Sequence, residues 1–597
     1  MLKRIKNIFS GIRGRVFRRR PDASAHAERE LVYTLAKSRV PNFRQLRYLP
    51  KVLSKTELFL VRGLSGFIVV ALIFIGARTY ARNVVYQPKA GGEITEGLLG
   101  NPQYVNPVLV GTNDVDRDLI RLMYAGLLRR NAEQELVPDL AETFEVSDDK
   151  KVLTFHLRPN MSWSDGHAIS ADDVLITFEF ITDPLFKSPL RSQFRNVKVE
   201  RVDDLTVRFT LPQPSSAFLS KMTTGILPAH IWGDVPPPNF ALIEYNVRPV
   251  SSGPFKFDSL KRETDTGFIK EYRLIRNDKY PGQKPYLEKL TFKFFEDPTS
   301  MADAVRMKSI EGVSVVTRDQ RNALKQVRTV DIQLLQTSAV FFNAKRNAVK
   351  PPEVRKALAT AINRDLIINE AIDQTGQLTD GPIPPAVPGA VSGVQPAFSL
   401  DEANRILEDS GWKRQDGSGI RKKGNDELAV VLVVVEQADE VAVGELIKQN
   451  WEAIGAKVEV KLYDPTRIAK EVIKPREYDA FVYGEILAPD VDLYPFWHST
   501  QEVDPGLNLT RFFNKDADKL LDELRVEMDP TKTLEKRQAF QRLLAEGNHV
   551  VFLYTPFYSY GLAKRVKGFD VAYVTNPSDR FNNVSDWYVN TRISFQK

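Results

Sequence analysis

The stretch ELVPDLAETFEVSDDKKVLTFHLRPNMSWSDGHAISADDVLITFEFI, residues 135–181, decides the fold of this chain. The apolar residues of 152–157 predict a strand, and a Ser-Asp-Gly turn signal follows at 164–166. Ser170 predicts the N-cap of a helix over 171–181, whose first turn carries two aspartates that the helix dipole favours. The stretch therefore predicts a strand, a turn and a helix in close succession.

The same mixture of strand and helix signals continues on both sides of this stretch. Segments 197–202 and 206–210 predict a hairpin that turns at Asp203-Asp204, and apolar residues at helical spacing predict a helix over 114–129. Strands alternating with helices, without an internal repeat, indicate α/β lobes. The chain has 597 residues, and because one hydrophobic core stops growing at roughly 250–300 residues, we expect two or more lobes.

Six segments resemble, in the same order, the signature segments of the extracellular solute-binding proteins of family 5, a class that includes oligopeptide, dipeptide and nickel binders. These segments are 135–179, SSGPFKF (251–257), LIRNDKYPGQKPYLEKLTF (274–292), 338–368, LDEANRILEDSGW (400–412) and VVFLYTPFYSYGLAKRVKGF (550–569). The resemblance implies an α/β fold of the two-lobed periplasmic-binding-protein type (type II), with an extra domain inserted in the first lobe. It implies a chain that crosses between the lobes twice, so that the domains are discontinuous.

The domain limits that we predict combine this resemblance with an N-terminal membrane segment. They are a basic cytoplasmic tail at 1–57, a transmembrane helix at 58–80, lobe I at 87–125, 247–336 and 561–597, the inserted domain at 126–246, and lobe II at 341–560.

The transmembrane helix is predicted from LFLVRGLSGFIVVALIFIGA, residues 58–77, because about twenty apolar residues span a hydrocarbon core of roughly 30 Å. Residues 1–57 carry a net charge of roughly +11, so the positive-inside rule places the tail in the cytoplasm and the body outside the membrane. A cleaved signal peptide is the alternative, but its apolar region would start within the first 15–30 residues or so. The tail could also bind anionic lipid headgroups.

Charge and composition exclude several other classes. The formal net charge of +7 comes from the tail and the ends of the apolar segment, leaving a mildly acidic body, which argues against a nucleic-acid-binding protein. The chain has no cysteine, so disulfides, thiolate metal sites and a lipid-modified N-terminal cysteine are excluded. The six histidines form no HExxH or paired metal spacing, and neither a GxSxG nor a P-loop motif appears. We expect no catalytic residue, no metal and no cofactor, hence no enzyme.

The candidate ligand loop is YDAFVYGEILAPDVDLYPFWHS, residues 478–499. It resembles the family's ligand loop, in which a carboxylate binds the α-ammonium of a peptide and aromatic residues wall the side-chain pockets. A desolvated amine needs an opposite charge in any case, because an unpaired buried charge is costly. Glu485 stands where many members have tryptophan, and the anchoring aspartate is shifted. The candidate residues are therefore Asp490, with Asp492 and Glu485 as alternatives, together with Tyr494 and Trp497; these acids could also merely solvate a loop.

The opposite wall is predicted from the resemblance alone. Gly111, Thr112 and Asn113, which follow Asn106-Pro107, are expected to offer backbone groups to an extended ligand, and Leu190 is the matching position in the inserted domain.

The function that the resemblance implies is that of the solute-binding component of an ABC importer. It would capture short peptides, or another small polar solute, between hinged lobes and deliver them to a permease with separate ATPase subunits. The alternatives are a receptor or sensor of the same fold without import, and a membrane-anchored hydrolase. The ligand could be a peptide, a metal chelate or a sugar oligomer. We expect a monomer in the cell membrane, anchored by a single pass with its N-terminus in the cytoplasm.

Overall fold

The computed structural model describes residues 53–414, 419–488 and 490–595, so the predicted basic tail lies almost entirely outside the described residues. The strands are β1 (Val84–Lys89), β2 (Glu93–Leu99), β3 (Leu128–Arg130), β4 (Leu136–Pro138), β5 (Ala141–Val146), β6 (Val152–Leu157), β7 (Lys198–Asp203), β8 (Thr206–Thr210), β9 (Phe255–Arg262), β10 (Ile269–Arg276), β11 (Lys289–Phe295), β12 (Gly312–Val313), β13 (Val327–Leu334), β14 (Gln336–Phe342), β15 (Gly376–Leu378), β16 (Lys413–Arg414), β17 (Arg421–Lys423), β18 (Asp426–Glu427), β19 (Ala429–Val435), β20 (Lys457–Tyr463), β21 (Ala480–Ile486), β22 (Val550–Ala563), β23 (Tyr573–Val574) and β24 (Asn590–Phe595).

The α-helices are α1 (Lys55–Asn83), α2 (Asp114–Met123), α3 (Ala171–Thr182), α4 (Phe218–Lys221), α5 (Ala229–Trp232), α6 (Pro237–Phe240), α7 (Pro298–Arg306), α8 (Pro352–Thr360), α9 (Arg364–Leu366), α10 (Leu400–Asp409), α11 (Ala438–Ala453), α12 (Tyr494–Trp497), α13 (Lys515–Val526) and α14 (Pro530–Glu546). Short π-helical turns cover Ile367–Ala371 and Ala469–Ile473.

The chain divides into two compact units. The first holds α1, most of β1 and most of β24, and these two strands pair with each other. α1 begins with a capping box between Ser54 and Glu57, and its segment Lys55–Tyr80 is long and apolar enough to cross a membrane, with none of its most apolar stretch buried. This agrees with the predicted apolar helix at 58–80, which the structure extends by about one turn at its N-terminal end and by three residues at the other.

The second unit, Pro88–Thr591, is built on a large mixed sheet. β2, β9, β10, β11 and β12 form one end of the sheet, and β14, β19, β20 and β21 form the other. We call the part around the apolar clusters of residues 94–332 and 558–587 lobe I. We call the part around the two clusters drawn almost entirely from residues 335–554 lobe II. Lobes of this kind confirm the predicted α/β class.

The chain crosses between the lobes at two neighbouring places. β13 leads through Leu335 into β14, and β22 returns beside them. The first half of β22 pairs with β14 in lobe II, and its second half pairs with β13 in lobe I. A register shift lies at Ser338, close to this crossing. The strands therefore form a thin antiparallel connection, which is the geometry of a hinge.

The stretch that decides the fold forms a small antiparallel sheet, in the order β5, β6, β8, β7, covered by α3. Phe155 of β6 and Phe178 of α3 both pack edge-on against Phe209, at 5.7 and 4.9 Å between ring centroids. Ser170 caps α3 as predicted, and β7 and β8 form the predicted hairpin. We call the region 126–246, which holds this sheet, the insert, and its limits remain a prediction.

The helix predicted over 114–129 is wrong in its second half, because α2 ends at Met123. The backbone beyond it bonds to other segments: Ala125 N–H donates to Ser252 Oγ at 3.0 Å, and the carbonyl of Ala125 accepts from Ile226 N–H at 3.0 Å. A Cβ on Gly126 would lie 2.8 Å from the carbonyl oxygen of Met222, so the backbones of these two segments are in direct contact. Tertiary hydrogen bonds thus replace the helical ones.

Candidate functional site

The loop after β21 forms one wall of a cavity of about 540 Å³. Asp490, Asp492 and Tyr494 line it from lobe II, and residues from 130–136 and 215–220 line it from the insert. The cavity therefore lies between the lobes and is of the size of small-molecule sites in proteins, about 300–1,000 Å³. Three of the predicted ligand residues are brought together there.

Two arginines of lobe II hold the loop in place. Arg537 donates from Nη2 to the carbonyl oxygen of Asp490 at 2.7 Å. The guanidinium of Arg525 lies 4.4 Å from the ring centroid of Tyr494, and its Nε is 3.9 Å from Asp492 Oδ2. Asp492 Oδ1 in turn accepts from Tyr494 N–H at 3.0 Å. The carboxylate of Asp492 is thus tied to its own loop by this bond.

The carboxyl group of Asp490 is the unusual group of this cavity. Its Oδ1 is buried and has no hydrogen-bond partner among the described residues. Burial raises the pKa of Asp490 above the ordinary aspartate value, and the nearby charge of Asp492 raises it further. The backbone N–H of Asp490 itself acts against this rise, as do the charges of Arg130 and Lys221 on the insert side. A cationic group entering the cavity would therefore find a desolvated acceptor without a fixed partner.

The lining of the cavity carries charges of both signs. Its carboxylates are Glu133, Glu135, Asp490, Asp492 and Glu527, and its guanidiniums are Arg130, Arg525 and Arg537. Five acids against three arginines leave the lining net negative. A lining of this kind favours a ligand that carries an ammonium group and also has anionic or polar groups to pair with arginine.

The insert closes over the cavity by capping the end of α13. Ser216 N–H donates to the carbonyl oxygen of Arg525 at 2.8 Å, and the Lys150 ammonium donates to the carbonyl oxygen of Val526 at 2.8 Å. Ser216 Oγ also reaches the Arg525 carbonyl at 3.0 Å. The last carbonyls of a helix have no partner within the helix, so these bonds satisfy them across the interlobe gap.

Two residues of the predicted second wall line a different cavity from that of Asp490. Gly111 and Leu190 line a second cavity of about 260 Å³. A third cavity, of about 270 Å³, shares Arg121, Tyr124 and Thr223 with the second and Arg130 with the first. The two predicted walls are therefore connected by a chain of cavities rather than facing each other across one.

Thr112 and Asn113 differ from each other in their surroundings. Thr112 is exposed. Asn113 is the N-cap of α2: its Oδ1 accepts from Val115 N–H at 3.0 Å, and its Nδ2 donates to the carbonyl of Asn101 at 2.9 Å. Its side chain therefore has a local structural role, which leaves only its backbone for a ligand.

Glu485 and Trp497 lie in the interior of lobe II instead of on the cavity. Both carboxylate oxygens of Glu485 are buried without a hydrogen-bond partner among the described residues, and burial raises its pKa well above the ordinary glutamate value. Trp497 is fully buried between Phe341 and Phe552, with ring centroids at 6.1 and 5.9 Å. We therefore leave both residues out of the ligand site.

The basic residues of the site could not be found from the sequence. Arg130, Arg525 and Arg537 come from three separate segments, and none of them lies in a motif that indicates ligand binding. The end of α13 and the caps that Lys150 and Ser216 provide are likewise visible only in the fold.

Comparison with known proteins identifies the family. Residues 135–504 match the model of the bacterial extracellular solute-binding proteins, family 5. The chain belongs to this family. Its most similar relatives include the oligopeptide-binding protein AppA of Bacillus subtilis, 26% identical over 521 residues that cover 85% of this chain and 94% of the relative. The probable D,D-dipeptide-binding periplasmic protein DdpA of Escherichia coli is 24% identical over 79% of this chain and 90% of its own.

Solved structures agree with the fold. The ABC transporter substrate-binding protein CtaP of Listeria monocytogenes matches with a TM-score of 0.67 and 25% identity, covering 84% of this chain and all of the other. The predicted two-lobed periplasmic-binding-protein fold and the predicted solute-binding role are thereby confirmed. Members of the family are binding proteins, and a binding domain outside the cytoplasm is what the family implies for this chain.

Proposed function

We propose that this chain is the substrate-binding component of an ABC importer and that it captures short peptides with a free N-terminus in the cavity beside Asp490. The observation that carries the proposal is the buried, unpartnered carboxyl oxygen of Asp490 in a net negative interlobe cavity. The names of the relatives, an oligopeptide-binding and a probable dipeptide-binding protein, support the same ligand class.

A peptide fits the charges of this cavity better than a neutral sugar. Its α-ammonium group pairs with Asp490, and this positive charge favours the ionised carboxylate, which offsets the desolvation that raises its pKa. The arginines of the lining offer donors to the peptide carbonyls and to a terminal carboxylate. Asp490, Asp492 and Tyr494, with the arginines Arg130, Arg525 and Arg537, form the proposed site, and Gly111 and Leu190 extend it for longer peptides.

Capture works by closure of the hinge at Leu335 and the middle of β22. In the closed arrangement the insert reaches α13 through Lys150 and Ser216, and a ligand bridging the walls adds to these contacts. A ligand shifts this equilibrium only by its greater affinity for the closed state. The closed form then docks on the permease, and the ligand is released unaltered.

The apolar helix α1 is proposed as a single-pass membrane anchor with the N-terminus in the cytoplasm. Its exposed apolar stretch and the basic residues before it support this arrangement. Such an anchor keeps the binding domain at a high effective concentration near the transporter. We propose that the protein acts as a monomer.

Native mass spectrometry of the full-length protein in detergent tests the ligand class. We expect retained masses of mixed short peptides, together with binding of added peptides that is lost when their N-terminus is acetylated. A single uniform metal complex or an oligosaccharide as the retained species, with no binding of free peptides, would overturn the proposal.

A further inference from the structure

Three potential metal ligands meet on the surface of the insert, away from the interlobe cavities. Oδ2 of Asp165 lies 2.7 Å from His230 Nε2 and 3.3 Å from His167 Nδ1. The ligand atoms of the three residues lie within 4.8 Å of one another, and the two imidazole rings stack with their centroids 4.0 Å apart. One carboxylate oxygen therefore contacts both imidazoles.

The scaffold around this cluster is held by bonds that do not use the ligand atoms. Asp165 Oδ1 accepts from His167 N–H at 3.1 Å, so Oδ2 is the oxygen turned to the imidazoles. The turn is closed by Trp163 N–H, which donates to the carbonyl of His167 at 2.8 Å. His230 lies in α5, whose first N–H donates to the buried Asp173. These bonds fix the backbone of the turn and of the start of α5, from which the three side chains project.

The ligand atoms lie close enough for a first-row divalent cation to bind all three after small side-chain rotations. Ligand atoms of a tetrahedral zinc site lie roughly 3.4 Å apart, since each is about 2.1 Å or less from the metal. The 3.3 Å separation already has this value, and the 2.7 Å separation needs a shift of less than 1 Å. The two imidazole nitrogens lie within 4.8 Å of each other, and the stacked rings must turn so that both nitrogens face one ion. Two imidazoles with one carboxylate are a donor set that suits Zn²⁺, Ni²⁺ and Cu²⁺.

We propose that Asp165, His167 and His230 form a binding site for a divalent transition-metal ion, with Zn²⁺ as the reference ligand. The side chains are 30%, 63% and 24% exposed, respectively, so the ion has an entry path and water completes its coordination. The sequence alone predicted no metal set, because His230 follows His167 by 63 positions and only the fold brings them together. The site is separate from the solute cavity.

Zinc titration of the full-length protein tests this inference. The protein is produced without a polyhistidine tag, stripped with a chelator and titrated with Zn²⁺ by calorimetry, and with Co²⁺ by visible absorption. We expect one equivalent of Zn²⁺ to bind. His167→Ala removes an exposed ligand with little structural role and is expected to weaken binding at least 100-fold; Asp165→Asn is expected to weaken it at least tenfold.

His156→Ala, in β6, is the matched control, because this histidine contacts Thr206 and lies outside the cluster. It is expected to bind Zn²⁺ as the unchanged protein does, and X-ray absorption of the zinc form should show two imidazole ligands. No binding by the unchanged protein, or equal binding by His167→Ala, would overturn the proposal. Peptide binding by His167→Ala should stay unchanged, which keeps this result independent of the proposed transport function.

Discussion

Replacing Asp490 with asparagine removes the charge of the proposed ammonium partner while keeping the size of the side chain. A hydrogen bond to a charged group contributes about 1.5–3 kcal/mol, so the variant should bind free peptides roughly 10–150 times more weakly. Because Oδ1 of Asp490 is buried and its pKa is raised by burial, little solvent is present to compensate for the lost charge. The upper half of this range is therefore expected.

The pH dependence of binding provides an independent test of Asp490. Only the ionised carboxylate pairs with an ammonium group, and the pKa of Asp490 is raised in the free protein. The affinity should therefore fall as the pH drops through this raised pKa, at a pH above the ordinary aspartate value of about 3.9. In Asp490→Asn this part of the pH dependence should be absent.

The assay is calorimetric titration of the full-length protein in detergent with a free peptide and with its N-acetylated form. Asp265→Asn is the control, because Asp265 is exposed in the turn between β9 and β10. The unchanged protein and the control should prefer the free peptide, whereas Asp490→Asn should bind both forms equally weakly. An undiminished preference of Asp490→Asn for the free peptide would refute the assignment of Asp490.

Three further substitutions test the buried charges of the two lobes and the contact that closes them. Arg580→Ala leaves the buried Glu96 and Asp118 without their partner, now at 2.8 and 2.6 Å. Breaking a buried ion pair costs about 3–5 kcal/mol, and for a unit of this size the entropy of unfolding is about 1 kcal/mol/K, so the melting temperature should fall by roughly 3–5 °C. An unchanged melting temperature would contradict this. Glu485→Gln should raise the melting temperature at pH 8 but not at pH 4. The pKa of Glu485 in the folded protein lies above its unfolded value of about 4.3, so the unchanged protein loses stability as the pH rises from the unfolded pKa through the folded one. The loss is about 1.4 kcal/mol for each pH unit between the two pKa values. Equal melting temperatures of the two proteins at pH 8 would exclude this. Lys150→Ala removes one bond to the end of α13. Because this bond is exposed and water screens its charge, it contributes about 0.5–1.5 kcal/mol, so peptide affinity should drop about 2- to 12-fold. Small-angle scattering should show a more open protein, and identical scattering would argue against the contact as a closure element.

Local signals predicted the elements of the decisive stretch well. The cap at Ser170, the strand β6 and the hairpin of β7 and β8 are set by neighbours in sequence, which is why they could be predicted without the fold. The helix over 114–129 failed where Gly126 and Ala125 bond to distant segments, since apolar spacing carries no information about tertiary hydrogen bonds.

The candidate site was predicted in part. The loop with Asp490, Asp492 and Tyr494 stood out by its acids and aromatic residues, and the fold places these three on one cavity. Glu485 and Trp497 looked equally suitable, but strand alternation and helix orientation turn them into the core of lobe II. Position in the sequence shows which residues lie near the loop, but it does not show whether their side chains face the cavity or the core.

The sequence by itself determined the family, the α/β class and the apolar N-terminal helix, because these depend on the order of local patterns along the chain. Only the tertiary structure decided which charges meet. It joins Arg130 to Asp490 on one cavity, and Asp165 to His230 on the insert, across separations of 360 and 65 residues. Electrostatic pairing depends on distance in space and on burial, and both arise only when the lobes are folded.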